Sequence, residues 1–321
     1  MNQLYEIQTQ LEKANKIAIF THVNPDGDAL GSSFALKAAL ESLGKTAVVL
    51  LEKEMPAKYE FLNGGYSLTA DAAQFDTAIA LDCGAAGRLG SLAPLYDAAC
   101  VRLCVDHHYA DSPFGDLYYA ETDSAACAEL VYLLIKNMCG QLPTSTLVPL
   151  YTGISTDTGQ FKFSNVTPRT MRIAAELLEA GLDHRDITRR LYDTVKLAKL
   201  KFTGVLADKI KLFYDGKIAV LECFESFLAS HGLTHEEVEE IPNTVLSIEG
   251  VEVSVIIKDR DEESLKVSMR CKENIDLARL ASTFGGGGHK CAAGFVSTLS
   301  VEALTEVLVA EIHKQLEAYY G

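Results

Sequence analysis

Apolar positions in the first half of the chain alternate between short continuous runs and stripes at helical spacing. Lys16–Phe20, Thr46–Leu51, Asp76–Leu81 and Cys100–Val105 are mostly apolar runs of strand length, the pattern of buried strands. Leu30–Leu43, Ser124–Cys139, Ser145–Ile154 and Thr167–Ala180 carry apolar residues at helical intervals, and the last stops at Gly181. Strands alternating with helices predict βαβ units and a parallel sheet. Ligands of such sheets bind beyond the carboxyl ends of the strands, so polar clusters that follow the strands are expected to converge on one edge. The charged stretch 183–209 reads as a helical linker. Beyond it the pattern changes. Ile210–Phe213 and Lys217–Cys223 flank Tyr214-Asp215-Gly216, a hairpin signal. Glu252–Ile257 and Ser264–Arg270 alternate on either side of a charged turn, and Val301–Tyr319 is an amphipathic helix. The expected organisation is an α/β domain with a parallel sheet over residues 1–182, the linker 183–209, and a smaller α+β domain over 210–321.

A length of 321 residues supports two domains. No apolar run approaches the roughly 18 residues of a membrane-spanning helix, and the polar start MNQLYEIQTQLEKANK does not read as a secretory signal. With 29 basic against 44 acidic residues, a net charge of −15, general attraction to long duplex nucleic acid is excluded. A short anionic substrate is compatible only if bound cations reverse the local field. None of the 8 cysteines forms a CxxC pair, so they read as reduced thiols in a cytoplasmic protein.

Four clusters carry candidate chemistry. The segment His22-Val23-Asn24-Pro25-Asp26-Gly27-Asp28 follows a strand and precedes a helix. Two carboxylates this close raise each other's pKa and cost stability unless a cation joins them. Asp28 alone is explained by capping the helix that follows; a cap needs neither His22 nor Asp26. Asp82 follows the strand Thr77–Leu81, where a turn-starting aspartate is common. Asp106-His107-His108 follows another; adjacent histidines in a strand point to opposite faces, and at a strand end they can do different jobs in one site. Asp157 stands at a helix end. Together His22, Asp26, Asp28, Asp82, His107 and Asp157 offer four carboxylates and two imidazoles, a set suited to Mn²⁺, Mg²⁺ or Co²⁺ over softer metals. Two metals about 3.5–4 Å apart, bridged by one carboxylate, would use them all. Near the other end, Gly285, Gly286, Gly287 and Gly288 read as an anion-binding nest of backbone N–H groups. His289 is placed to stack on a base or touch a phosphate, and Arg270 offers a planar fork for phosphate. The glycine run is neither a dinucleotide fingerprint nor a P-loop.

This pattern resembles the DHH-family phosphoesterases, named for the triplet present here as Asp106-His107-His108. Four motifs fall in the family's order, at His22…Asp28, Asp82, Asp106-His107-His108 and Asp157. Ser268-Met269-Arg270 and Gly285–His289 resemble the associated DHHA1 domain, and the branch most similar in layout is that of the nanoRNA phosphodiesterases and pAp phosphatases. The resemblance implies one metal held by His22, Asp26 and Asp82. It implies a second held by Asp28, Asp82, His107 and Asp157, with Asp82 as the bridge. Mn²⁺ is the first choice, Mg²⁺ and Co²⁺ the alternatives. His108 would face the substrate phosphate or assist the leaving oxygen, Asp106 would orient the histidines, and Ser268, Arg270, the four glycines and His289 would bind substrate. The implied reaction is hydrolysis of short oligoribonucleotides such as nanoRNA and pApA to 5′-mononucleotides, and of pAp to AMP and phosphate, by a cytoplasmic enzyme with no membrane partner and with a homodimer left open. Alternatives are a cyclic-di-AMP phosphodiesterase and a RecJ-like single-strand exonuclease; the latter is expected to carry further nucleic-acid-binding modules and a more basic surface.

Overall fold

The first unit is organised around a sheet in which every neighbouring pair of strands is parallel. The computed structural model describes residues 2–62, 64–71, 74–109, 112–234, 238, 240–261, 263–272 and 275–320, and it divides into two compact units, 1–194 and 195–321. Unit 1 runs α1 (Asn2–Lys13), β1 (Lys16–Phe20), α2 (Gly27–Ser42), β2 (Thr46–Leu50), β3 (Tyr66–Ser67), β4 (Thr77–Leu81), α3 (Ala93–Asp97), β5 (Val101–Asp106), β6 (Leu117–Ala120), α4 (Cys127–Cys139), α5 (Thr144–Asp157), α6 (Pro168–Glu179) and α7 (His184–Leu191). The strand order is β3-β2-β1-β4-β5-β6. The order in which the chain adds strands reverses between β1 and β4, and crevices of this kind are where α/β sheets bind ligands.

The apolar runs have no polar side because both faces are covered. Ile17 and Ile19 of β1 pack with α1, α2 and α4, while Ala18 and Phe20 pack on the opposite face with Leu92 and Tyr96. The register then aligns the chemistry. Phe20 pairs with Ala80 and Leu81 with Val105, so His22 and Asp82, just beyond their strands, stand level with Asp106, the last residue of β5. Helix α1 has Leu4, Ile7 and Leu11 on its buried stripe; its many polar residues hid that spacing from the sequence reading.

Unit 2 runs α8 (Leu197–Ala207), β7 (Lys211–Phe213), β8 (Ile218–Glu222), α9 (Glu225–Ser230), α10 (Ile241–Leu246), β9 (Val253–Asp259), β10 (Leu265–Cys271), α11 (Leu277–Thr283), β11 (Gly287–His289), β12 (Ala292–Ser297) and α12 (Val301–Tyr320). Its sheet has the order β11-β12-β10-β9-β8-β7 and is antiparallel except for the β8–β9 pair. One face packs on α11 and α12 through Val255, Val267, Met269, Leu280, Leu308 and Ile312. The other packs on α8, α9 and α10 through Leu221, Ile256, Phe202, Leu228 and Val245. Ser268 and Arg270 of β10 lie on that second face and are only half-buried. Among the described residues, no helix is long and apolar enough to cross a membrane.

Candidate metal centre

Asp26, not Asp28, caps α2. Its backbone is extended (φ −93°, ψ −164°), and its Oδ1 accepts from the N–H groups of Asp28 (3.0 Å) and Ala29 (3.1 Å). The sequence reading gave the cap to Asp28; two residues beyond the true cap, that side chain is free to turn elsewhere. It crosses to the start of α4, where it accepts from the N–H groups of Cys127 (2.5 Å) and Ala128 (2.9 Å) and from Ser32 Oγ (3.2 Å). Helix α5 approaches α2 closely because small residues face each other. A Cβ on Gly31 would lie 2.5 Å from the Pro149 carbonyl oxygen, and one on Gly27 would lie 2.5 Å from Thr156 Cγ2. This approach delivers Asp157, the last residue of α5, to Asp28.

Asp82 is buried and adopts a left-handed backbone, φ +55°. A non-glycine residue there costs of order 1–3 kcal/mol and persists only where the surroundings hold it. Its N–H donates to the Val105 carbonyl (3.1 Å). Its carboxylate then meets three histidines: His22 Nε2 at 3.8 Å, His107 Nε2 at 3.4 Å and His108 Nδ1 at 3.3 Å. Both histidines of the triplet turn toward the same place, their ring centres 4.3 Å apart. The alternation expected of a strand does not apply, because the strand ends at Asp106.

Asp106 is fully buried. Its Oδ1 accepts from the N–H groups of His107 (2.8 Å) and His108 (3.2 Å), and it lies 2.9 Å from His108 Nδ1. It therefore orients the His108 ring; the His107 ring is oriented by the carbonyl of Ser124, 3.2 Å from Nδ1. This main-chain partner escaped the sequence reading, since a backbone carbonyl has no signature in residue type.

Three groups of side chains bring ligand atoms within 4.8 Å of one another: His22, Asp26 and Asp82; Asp82, His107 and His108; Asp28, His107 and Asp157. The electrostatics of the cluster call for positive charge. Burial, with the charges of Asp82 and Asp157, pushes Asp28 well above the usual carboxylate range. The protein crowded around Asp26 and the charge of Asp82 raise that carboxyl too, although it keeps an opening to solvent. Burial, reinforced by Asp26 and Asp82, raises Asp157 to about 7. Burial alone would lower His107 and His108; contacts with Asp82, joined by Asp28 and Asp157, instead lift His107 to about 9, and Asp106 and Asp82 lift His108 to about 10. Asp82 goes the other way: burial works to raise it, and its contacts with His107 and His108 outweigh that and hold it well below the carboxylate range. A cation of suitable size would oppose the upward shifts and relieve the repulsion among the carboxylates. Asp82 Oδ1 and His107 Nε2 are also buried 3.4 Å apart without a well-formed hydrogen bond to any group. An O/N donor set with such orphaned atoms fits hard or borderline divalent cations.

In unit 2, the glycine run does two structural jobs. Gly285 (φ +75°) ends α11: its N–H reaches the Ser282 carbonyl (3.1 Å) and that of Gly286 reaches Ala281 (2.9 Å), the paired bonds of a Schellman stop. Those two donors are spent, so an open nest of four glycines is corrected to a helix stop followed by an edge strand. In β11, Gly287 pairs with Gly294 and His289 with Ala292, while β10 places Ser268 opposite Gly294 and Arg270 opposite Ala292. Ser268, Arg270 and Gly287 therefore share one face by register. The His289 side chain lies outside the described residues. Arg270 Nη1 donates to its neighbour's carbonyl at Met269 (2.9 Å).

With this geometry in hand, the comparisons define the class. The N-terminal domain model of the DHH family matches residues 16–154, and the DHHA1 domain model matches 215–318. The chain belongs to the DHH family of phosphoesterases and carries a DHHA1 domain. Among its relatives, the bifunctional oligoribonuclease and PAP phosphatase NrnA of Thermus thermophilus is 32% identical over 283 residues, covering 87% of this chain and 83% of the relative. The protein of the same description from Bacillus subtilis is 28% identical, covering 87% and 88%. The crystal structure of an exopolyphosphatase-related protein from Bacteroides fragilis superposes with a TM-score of 0.88 at 27% identity, covering 99% of this chain and 96% of that one.

Proposed function

We propose that this chain hydrolyses short oligoribonucleotides to 5′-mononucleotides and pAp to AMP and phosphate, using two divalent cations. The observation that carries the reading is Asp82, held in a strained backbone conformation with its carboxylate against three imidazoles from two different loops. His22, Asp26 and Asp82 would hold one cation, and Asp28, Asp82, His107 and Asp157 the other; the mixed oxygen and nitrogen donors suit Mn²⁺. When bound, such a pair supplies a nucleophile at neutral pH and neutralises charge on the phosphoryl oxygens.

The remaining roles belong to the chain itself. Asp106, at 2.9 Å from His108 Nδ1, favours the protonated imidazole and turns Nε2 away from itself. His108 can then donate to a phosphoryl oxygen or to the leaving ribose oxygen. Arg270 and Ser268 present a cation and a hydroxyl on the half-buried face of the unit 2 sheet, and β11, one strand further out beyond β12, carries no side chains at Gly287 and Gly288. A short, highly charged nucleotide is the ligand such a face accepts. With an overall charge of −15, binding depends on these local groups rather than on a basic surface, which favours short substrates over long strands.

The test is a parallel assay of purified protein with Mn²⁺ on pAp, pApA, cyclic-di-AMP, a five-mer RNA and pyrophosphate. Turnover of pAp, pApA and the five-mer, lost roughly 100-fold or more in Asp82→Asn, is expected. Preference for cyclic-di-AMP or pyrophosphate, or full activity in Asp82→Asn, would overturn the reading.

A further inference from the structure

Three of the ligand candidates reach one group from separate elements: Asp28 from α2, His107 from the turn after β5, and Asp157 from the end of α5. All three are tied to one short stretch, residues 124–128, which contributes no side chain to any of the three groups. The Ser124 carbonyl sits 3.2 Å from His107 Nδ1, so the ring presents Nε2 to the cluster. The N–H groups of Cys127 and Ala128 hold the Asp28 carboxylate. The third tie is indirect. Asn165 Nδ2 donates to the carbonyl of Ala125 (3.0 Å) and also to that of Asp157 (3.1 Å). Both acceptors are main-chain carbonyls, so only the nitrogen of the amide can face them.

The stretch is anchored from the protein side as well. Glu129 is fully buried, and its Oε2 accepts from Ser124 Oγ (3.2 Å) and Arg169 Nε (2.8 Å). Arg169 also pairs with Glu121. A carboxylate with no solvent contact is costly unless paired, so this arrangement resists displacement of Ser124.

We infer that Asn165 and the Arg169–Glu129 pair are positioning residues. They hold the start of α4 as a brace that sets the spacing of Asp28, His107 and Asp157, and so control the affinity of one cation more than the other. The inference rests on the two-cation reading above. Asn165 is exposed and is not itself in any ligand group, so it can be changed without opening the core. Asn165→Asp keeps the shape and replaces a shared donor by an acceptor facing two carbonyls.

The experiment is a Mn²⁺ titration of the metal-free, full-length protein, followed by electron paramagnetic resonance, with thermal melting of the same samples. Asn165→Asp is expected to bind one ion like the wild type and the other about 10–100-fold more weakly, with at most a small fall in the metal-free melting temperature from the two lost hydrogen bonds. Arg169→Lys, which keeps the charge and loses the planar fork, is expected to weaken the same ion. Asn165→Asp added to Asp157→Asn is expected to cause little further loss. Equal weakening of both ions together with a lower metal-free melting temperature would mean ordinary destabilisation and overturn the brace. Wild-type affinities in both variants would overturn it equally. A wild type that binds no pair of ions would remove the two-cation reading and the brace with it, so the wild-type titration tells the two failures apart.

Discussion

Gly31→Ala offers a sharp test of how the metal centre is assembled. In most helix interiors this substitution stabilises by about 0.5–1 kcal/mol, because alanine loses less backbone freedom on folding. At Gly31 the new Cβ would sit 2.5 Å from the Pro149 carbonyl oxygen and 2.8 Å from the Gly153 nitrogen, both main-chain atoms that no rotamer change can move. Carbon contacts relax near 3.5–4.0 Å, so α2 and α5 must part by about 1 Å. Overpacking of this sort costs about 1–3 kcal/mol, which exceeds the propensity gain. The net expectation is destabilisation of about 0–2.5 kcal/mol. The functional loss should be larger, since Asp28 and Asp157 ride on the two separating helices, and a 1 Å misplacement can cost about 100-fold in rate. Gly204→Ala is the control: Gly204 lies inside α8 with nothing within 4 Å of its would-be Cβ, so the same change should stabilise there. Calorimetry of the full chain and pAp hydrolysis of both variants would measure this. If Gly31→Ala raised the melting temperature as Gly204→Ala does, with hydrolysis intact, the account of the α2–α5 contact would be refuted.

The metal-free protein should show an inverted pH response. Asp157 titrates near 7 in the fold against 3.8 as the ordinary value, because burial and the neighbouring carboxylates Asp26 and Asp82 oppose its charge. A carboxyl raised on folding imposes no penalty below 3.8; the penalty grows as pH rises to about 7 and then levels off. His107 and His108, raised to about 9 and 10, stabilise fully below 6.5 and lose that contribution as pH climbs through those values. The melting temperature of chelated wild type relative to Asp157→Asn should therefore fall between pH 4 and 7, and saturating Mn²⁺ should flatten the difference; parallel profiles without metal would contradict this. For the second unit, Arg270→Lys should raise KM for pAp by about 10-fold, since it loses one arm of a charge-assisted contact, while leaving Mn²⁺ affinity unchanged; an unaltered KM would take Arg270 out of the substrate site.

The sheet edge was readable because each strand is a continuous apolar run with its acidic or imidazole residue just beyond the last apolar position. Spacing alone therefore located His22, Asp82 and Asp106–His108. Asp157 was readable as a helix end, but its meeting with Asp28 depends on Gly27, Gly31 and Gly153, whose significance appears only when two helices touch. The cap at Asp26 was assigned two residues late because either aspartate can serve and only the backbone angles choose between them. Ser124 was invisible because it acts through its carbonyl. In unit 2, α11 and β12 went unread: their small residues, Ala292-Ala293-Gly294 above all, give weak periodicity, and the glycine run drew attention as a ligand loop when half of it ends a helix.

The left-handed backbone at position 82 has an evolutionary corollary. Glycine and asparagine tolerate φ +55° better than aspartate does, and both would also discard a buried negative charge. In the metal-free protein that backbone gain is offset by losing the contacts that hold His107 and His108 protonated. Replacing the acid trades a relaxed turn for two buried imidazoles without their shared counter-charge, so the residue is kept in place by its neighbours as well as by selection on turnover.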